Sequence, residues 1–168
     1  MRILGIDPGY AILGYGVVES FRDGYELVEC GAVRTDKSMA MPARLKTIYS
    51  DLMDIISDTE PEAAAIEELF WGTNTTTAIG VGEARGAAIV ACANCGLRIY
   101  EYTPLQIKMA LTGYGRAEKE QMQEIVRSLL GLETPPKPDD VADALAAAIC
   151  HANSADSIER IAKYTGGV

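Results

Sequence analysis

The 168-residue sequence has little of what marks several large classes of protein. No run approaches about 18 consecutive apolar residues, so we expect no membrane-spanning helix. Asp7 and Pro8 stand where a secretory signal would still be apolar, so we expect a cytoplasmic protein without export. Only four Cys are present, and without an export signal they predict reduced thiols and not disulfides.

Basic residues are also scarce. Fifteen Lys and Arg against 24 Asp and Glu give a net charge of −9, which alone argues against a nucleic acid partner. The distribution is uneven, however, because no basic residue lies between Lys46 and Arg85. A chain of net negative charge can still present a basic face, so the total decides little. The basic residues elsewhere include two groups: Arg34, Lys37, Arg44 and Lys46, then Lys108, Arg116, Lys119 and Arg127.

The size and composition fit one globular domain. Hydrophobic residues make up 48% and charged residues 23%, which is typical of a folded chain. A chain of this length buries about two thirds of its unfolded surface, so it needs no disulfide or metal for stability. We predict a single domain over residues 1–152 and a weakly ordered tail over 153–168.

Hydrophobic periodicity predicts five strands and five helices. Short apolar runs with turn signals indicate strands at 3–7, 14–20, 25–34, 63–67 and 97–102. The Asp23-Gly24 pair predicts a hairpin between the second and third strands. Helices are expected at 42–58, after a loop at 70–77 to about Asn94, and at 104–111, 117–130 and 139–152. The order predicts an α/β fold with a mixed five-stranded sheet, in which an antiparallel three-strand meander precedes parallel strands.

Four acidic side chains are expected to meet at one edge of this sheet. Asp7 ends the first strand and Glu67 ends the fourth, and ligands of open α/β sheets bind at the carboxyl ends of strands. If these strands are parallel neighbours, the two carboxylates emerge side by side. Asp140 and Asp143 are three residues apart on the last helix and project from one face, so a helix docked there completes the cluster.

This donor set predicts a particular chemistry. Buried like charges need protons or cations to neutralise them, and the one His, His151, lies far along the helix. Carboxylates without His or Cys suit Mg²⁺ or Mn²⁺. Two such ions about 4 Å apart are the usual arrangement for phosphodiester cleavage. No Ser–His or Cys–His pair is evident, so water is the expected nucleophile.

Each acid also has a structural interpretation. Asp7 before Pro-Gly can cap a turn, Asp140 and its neighbour Asp139 can cap a helix, and Glu67 can be a surface strand end. Asp143 fits this interpretation least, because it lies inside the otherwise apolar stretch VADALAAAIC.

Several motifs together resemble the RuvC family of crossover junction endodeoxyribonucleases, from about residue 2 to 152. They are GIDPG at 5–9, AIEELF at 65–70, EARG at 83–86, Gln106-Ile107-Lys108, Ala117-Glu118-Lys119 and DDVADALA at 139–146. The resemblance implies a ribonuclease-H-like fold and metal-dependent resolution of four-way (Holliday) DNA junctions by paired symmetric nicks in recombination and repair. It also implies a homodimer, a branch-migration helicase complex as partner, and two Mg²⁺ ions per site, with Mn²⁺ as a substitute. The implied ligands are Asp7, Glu67, Asp140 and Asp143.

The resemblance further assigns residues to catalysis and to DNA. Lys108 and Lys119 match basic residues near the family's site, although either can be a solvated helix side chain. Phe70 matches an aromatic near the junction centre, where a ring can stack on an unpaired base, although it or Trp71 can instead be a core aromatic. Thr73 departs from family members that carry Lys there, which removes one phosphate contact. The predicted DNA contacts are Phe70, Asn74, Arg85, Lys108, Arg116 and Lys119.

Two further features leave alternatives open. The helix at 75–94 carries many small residues, including Gly82 and Gly86, and can pack closely against its own sheet or against its twin across a two-fold axis. The resemblance favours the twin. Cys92 and Cys95 form a lone CxxC, which is explained better by small buried side chains than by zinc, because two further ligands at usual spacing are missing.

Two other functions compete with the nuclease. The hairpin GIDPGYAILGYGVV is similar to that of actin-like ATPases and sugar kinases, but those proteins close two such domains around a nucleotide. The second alternative is a non-catalytic junction-binding or regulatory protein, or a resolvase-like relative that acts on another nucleic acid, with the acids retained for structural reasons.

Overall fold

One five-stranded sheet forms the centre of the molecule. The computed structural model describes residues 1–68 and 75–165, with side chains over 1–68 and 78–155. The strands are β1 (Arg2–Asp7), β2 (Ile12–Phe21), β3 (Gly24–Arg34), β4 (Ala63–Glu67) and β5 (Arg98–Tyr102). Their order in the sheet is β3-β2-β1-β4-β5.

The sheet is mixed, as the sequence predicted. β1, β2 and β3 form the antiparallel meander, while β4 lies parallel to both β1 and β5. β1 is central, so its side chains are covered on both faces, which explains its unbroken apolar run. Ile3, Leu4 and Ile6 are fully buried.

Helices cover the two faces of the sheet. They are α1 (Met41–Thr59), α2 (Thr75–Asn94), α3 (Pro104–Thr112), α4 (Lys119–Leu129) and α5 (Asp139–Thr165). α1 and α2 enclose one core with Leu4 and Ile6 of β1, while α3, α4 and α5 enclose the other with Ile3. No helix in the described part of the chain is both long enough and apolar enough to cross a membrane.

The structure differs most from the sequence prediction at the end of α5, while the other boundaries shift by about three residues or fewer. α5 continues to Thr165, whereas we expected it to end near residue 152. The reason is that neither Gly nor Pro interrupts residues 139–165, so nothing stops the helix when its apolar stripe ends. The hairpin also turns one residue earlier than expected, because Phe21 pairs with Gly24 around Arg22 and Asp23. How firmly residues 153–168 are held stays a prediction.

The cysteines and the histidine belong to the core. Cys92 is fully buried, and the Sγ of Cys95 lies 3.4 Å from Sδ of Met53. His151 is buried, with Nδ1 2.7 Å from the hydroxyl of Tyr102. All four cysteines are free thiols.

Candidate active site

The parallel pairing of β1 with β4 places two carboxylates side by side. Ile6 of β1 pairs with Ile66 of β4, so the next residues, Asp7 and Glu67, leave the same edge of the sheet. Residues 3–6 of β1 and 63–66 of β4 carry no polar side chain, and each strand ends in an acid where the sheet ends. The predicted juxtaposition of Asp7 and Glu67 therefore follows directly from strand order and register.

Two glycines allow α5 to reach this edge. A Cβ added at Gly14, which pairs with Asp7, would lie 2.0 Å from the backbone oxygen of Asp140. A Cβ at Gly5 would lie 1.9 Å from the backbone oxygen of Ala144. The helix backbone thus rests directly on the sheet, which no larger residue permits. Sequence reasoning missed this role of Gly14, although a glycine inside a strand is itself a signal of close backbone approach.

The carboxylates brought together here disturb one another's ionisation. Burial raises the pKa of Asp7 from 3.8 to about 8, and the neighbouring charges of Glu67, Asp143 and Asp140 add to this in that order. Burial followed by the charge of Asp143 raises the pKa of Glu67 from 4.5 to about 7. Burial also raises the pKa of Asp143, although Lys119 opposes the shift. The edge therefore holds more negative charge than its own surroundings balance.

One cation partly offsets this charge. The Nζ of Lys119 lies 3.3 Å from Oδ2 of Asp143 and 3.5 Å from Oδ2 of Asp139. Lys137 also pairs with Asp139 at 2.8 Å, so Asp139 is balanced outside the cluster. Lys108 acts at longer range, where its charge works against the rise in the pKa of Glu67. The structure thus places Lys119 and Lys108, the two lysines that the family resemblance assigned to the site, near the acids, and their role there stays a prediction.

A small cleft opens at the cluster. Its volume is about 50 Å³, and its polar lining comes from Glu67, Lys108 and Asp143, with Pro104, Ile107, Met122 and Ala146 as the apolar wall. This volume admits a water molecule or a cation. Any larger substrate must approach from outside.

The donor chemistry fits a hard divalent cation. All four side chains offer oxygen only. The raised pKa values of Asp7, Glu67 and Asp143 indicate negative charge that a cation would balance. Among the side chains described, those of residues 1–68 and 78–155, no three His, Cys, Asp or Glu already converge as a finished ligand shell. The fit therefore rests on charge, burial and oxygen donors, and binding requires side-chain rotation at the cluster.

Other predicted contacts lie away from the cluster or outside the described residues. Arg85 pairs with Glu101 of β5, and its Nε is buried without a hydrogen bond within the described chain. Arg116 is exposed. Phe70 and Asn74, with Trp71 and Thr73, lie outside the described residues. The DNA contacts assigned to these residues stay predictions.

The mixed sheet, with acids at the ends of β1 and β4 and on α5, defines a ribonuclease-H-like nuclease. Comparison with known proteins identifies one family within this class. The family model described as "Crossover junction endodeoxyribonuclease RuvC" matches residues 3–151. The chain therefore belongs to the RuvC family of crossover junction endodeoxyribonucleases.

Individual relatives agree over nearly the whole chain. A protein of Alkaliphilus metalliredigens named crossover junction endodeoxyribonuclease RuvC is 58% identical over 154 residues, which cover 92% of this chain and 94% of that protein. The solved RuvC structure of Thermus thermophilus matches with a TM-score of 0.86 at 38% identity, covering 94% of this chain and 96% of that one. A structure of T. thermophilus RuvC in complex with a Holliday junction substrate matches with the same TM-score at 35% identity and the same coverage.

Proposed function

We propose that this chain resolves four-way DNA junctions by metal-dependent nicking at the cluster of Asp7, Glu67, Asp140 and Asp143. The observation that carries the proposal is geometric: strand pairing places Asp7 beside Glu67, and α5 rests against the same edge of the sheet. Burial and the neighbouring carboxylates raise the pKa of Asp7 to about 8, which Lys119 only partly opposes. Such a cluster does not stabilise the fold, because buried charges without counter-charges lower the free energy of unfolding. Family membership supplies the substrate class.

We assign the cluster to two Mg²⁺ ions, which Mn²⁺ replaces. When bound, these ions supply Lewis acidity that activates water and stabilises the leaving oxygen of the phosphodiester. The chain's own contribution is geometric. Asp7 and Glu67 are fixed by strand pairing, and Asp140 and Asp143 by α5.

Lys108 and Lys119 act on the DNA side of the cluster. Lys119 is 51% exposed at its side chain while its Nζ remains near Asp143, so it can reach a phosphate without leaving the site. Lys108 lines the cleft with Glu67. We propose that both contact the scissile phosphate and stabilise developing negative charge there. Arg116, Arg85, Phe70 and Asn74 remain proposed DNA contacts.

The first test is cleavage of a labelled, immobile four-way junction with Mg²⁺, Mn²⁺ or chelator. Wild type should give paired symmetric nicks that chelator abolishes, and Asp143→Asn should bind the junction without cutting it. Asp143→Asn is preferred because its position within an apolar helix face is hardest to explain structurally. Tight binding without any metal-dependent cleavage by wild type, across several junction sequences, would favour the non-catalytic alternative.

We also propose a homodimer through the outer face of α2. Ala84, Ala88 and Ala91 pack inward, whereas Cβ atoms added at Gly82 and Gly86 meet nothing within 4 Å. On the same outer face, Ile79 is 66% and Val90 is 51% exposed. Two glycines four residues apart, flanked by exposed aliphatic side chains, let two helices approach closely across a two-fold axis. Such a dimer carries two equivalent sites for two symmetric nicks.

The dimer is tested by light scattering on purified protein. Gly86→Leu fills the outer face and should shift the mass toward the monomer, while the cluster and its metal binding remain intact. Gly24→Leu, also in open space but on the β2–β3 hairpin, serves as the control. An unchanged mass for Gly86→Leu would move the interface elsewhere.

A branch-migration helicase complex as partner and a cytoplasmic location complete the proposal. The first is supported by the family resemblance alone. The second is supported by four cysteines that remain free thiols.

A further inference from the structure

A buried arginine lies near the Asp7 end of the sheet without a carboxylate partner. Arg44 is only 8% exposed, and no acidic group of the described chain lies within ion-pairing distance of it. It is also the fourth residue of α1, where the helix dipole disfavours a cation. Neither helix stability nor core packing favours an arginine here, since an unpaired buried charge is costly. The contacts of the Arg44 guanidinium therefore explain why an arginine stands at this position.

Those contacts reach the loop that follows Asp7. Nε of Arg44 donates to Oγ1 of Thr35 at 2.8 Å, and that hydroxyl donates to the backbone oxygen of Tyr10 at 2.5 Å. The backbone nitrogen of Thr35 donates to the oxygen of Ala11 at 3.1 Å. The guanidinium carbon lies 4.8 Å from the centroid of the Tyr10 ring, within the range of a cation–π contact. Arg44 therefore holds Tyr10 by both its backbone and its ring.

Tyr10 in turn contacts the start of α2. A Cβ added at Gly80 would lie 3.0 Å from Cδ1 of the Tyr10 ring, so only a glycine lets the ring approach without displacement. Met41 of α1 closes the same space, 3.3 Å from that Cβ. The ring is thus enclosed by Arg44, the first residue of α1 and the second turn of α2. Tyr10 is three residues after Asp7, so its placement determines how the chain leaves the carboxylate cluster.

We propose that Arg44 is a positioning residue for junction cleavage, acting through Thr35 and Tyr10 to fix the loop after Asp7 relative to the start of α2. The contacts of Arg44 are with Thr35 and Tyr10 and not with the four carboxylates, so its effect is on geometry. Displacements of about 1 Å in a catalytic site can lower a rate by about 100-fold, so a loosened loop has a measurable cost. The inference rests on the proposed function, because its readout is cleavage.

The test measures single-turnover cleavage at saturating protein, junction affinity in chelator, and thermal stability, for each variant. Arg44→Met and Tyr10→Leu should each lower the cleavage rate about tenfold or more while the junction Kd stays within about two-fold. Tyr10→Phe should cut like wild type, because the ring is retained and the Tyr10 hydroxyl makes no hydrogen bond within the described chain. The double variant should lose little beyond either single one, since both break the same connection.

Arg2→Met is the matched control. Arg2 also joins elements, donating to Glu19 at 2.8 Å and to the backbone oxygen of Thr59 at 2.6 Å, but at the opposite end of β1. We expect Arg2→Met to lower thermal stability without lowering the cleavage rate of the folded protein. If Arg44→Met folds poorly, the comparison of Tyr10→Leu with Tyr10→Phe tests the same connection with Arg44 in place.

Three results would overturn the inference. They are a wild-type rate in Arg44→Met and Tyr10→Leu, an equal loss of rate in Arg2→Met, or a loss of junction affinity with an unchanged saturated rate. The last would make Arg44 a DNA contact. A folded wild type that cuts no junction would instead overturn the proposed function, and this inference with it.

Discussion

The two ends of β1 differ in whether their charged groups are paired with opposite charges. At the start of the strand, Arg2 pairs with Glu19 at 2.8 Å, and the terminal ammonium lies 3.9 Å from Glu62. At its end, Asp7 faces three further carboxylates and one nearby lysine. The balanced and the unbalanced charge sets thus lie at the two ends of one six-residue strand.

This difference distinguishes charged residues that stabilise the fold from charged residues that lower its stability and form the proposed site. Paired charges at the surface change the free energy of unfolding only slightly. The carboxylate cluster costs stability, because burial and mutual repulsion disfavour its ionised form. A group of residues that lowers stability is retained when it binds a ligand or performs chemistry.

The largest expected effect comes from neutralising one acid at the unbalanced end. Asp7→Asn should reduce cleavage by roughly 10³-fold or more, because it removes a ligand that no other residue replaces. It should also stabilise the protein in chelator at pH 7 by about 1–3 kcal/mol, less than the full pKa shift implies because solvent screens part of the repulsion. Cleavage of labelled junction and thermal melts measure the two changes.

Glu19→Gln provides the contrast at the balanced end. It should leave cleavage unchanged and lower stability slightly, by less than about 1 kcal/mol. If Asp7→Asn were instead destabilising, Asp7 would be a structural cap and the proposed difference between the two ends would disappear.

The next effect concerns the glycine that brings α5 to Asp7. Gly14→Ala places a methyl against the backbone of Asp140, which cannot rotate away, so we expect a stability loss of about 1–3 kcal/mol. Metal affinity should fall with it, as α5 is displaced. Gly24→Ala is the control, because its Cβ meets nothing within 4 Å. Equal melting temperatures for the two variants would show that α5 does not rest on the sheet at Gly14.

The smallest effect is a slope in stability with pH. Asp7 and Glu67 have folded pKa values of about 8 and 7, above their ordinary values of 3.8 and 4.5. The folded state therefore keeps protons that the unfolded state has released, so stability in chelator should fall as pH rises from about 6.5 to 8. His151 partly opposes this slope near pH 6.5, because burial lowers its folded pKa from 6.5 to about 4 and the unfolded histidine still loses its proton there. Its contribution disappears as the pH rises toward 8.

Mg²⁺ should reverse this slope. Its stabilising effect should be larger at pH 8 than at pH 6.5, because the carboxylates must lose protons to bind a cation. Melting curves with Mg²⁺ and with chelator, for wild type and Asp7→Asn, measure the pH dependence of stability and the stabilisation by Mg²⁺. A flat wild-type curve in chelator would mean that the carboxylates are already balanced.

The sequence predicted the strands and the acids because both follow from local pattern. Apolar runs ending in Asp7 and Glu67 indicated two strand ends, and the helical spacing of Asp140 and Asp143 indicated a shared face. The helix between the first and fourth strands in the chain then favoured a parallel arrangement of β1 and β4, which the structure shows as neighbours. The family motifs added the placement of Lys108 and Lys119 beside the acids.

The contacts between elements were not predictable in the same way. Which carboxylate Lys119 pairs with depends on how α4 docks on α5, and no periodicity encodes that angle. The close approach at Gly14 and the contacts of Arg44 with Thr35 and Tyr10 join residues far apart in the chain. Such contacts are set by tertiary packing, where a single side-chain volume decides what fits.

The docking of α5 has a consequence for the timing of synthesis. Asp7 and Glu67 leave the ribosome early, while Asp140 and Asp143 belong to the last helix. A chain still being translated, or one truncated before residue 139, holds only half of the carboxylates. The complete set of four carboxylates therefore exists only after α5 has been synthesised and has docked on the sheet.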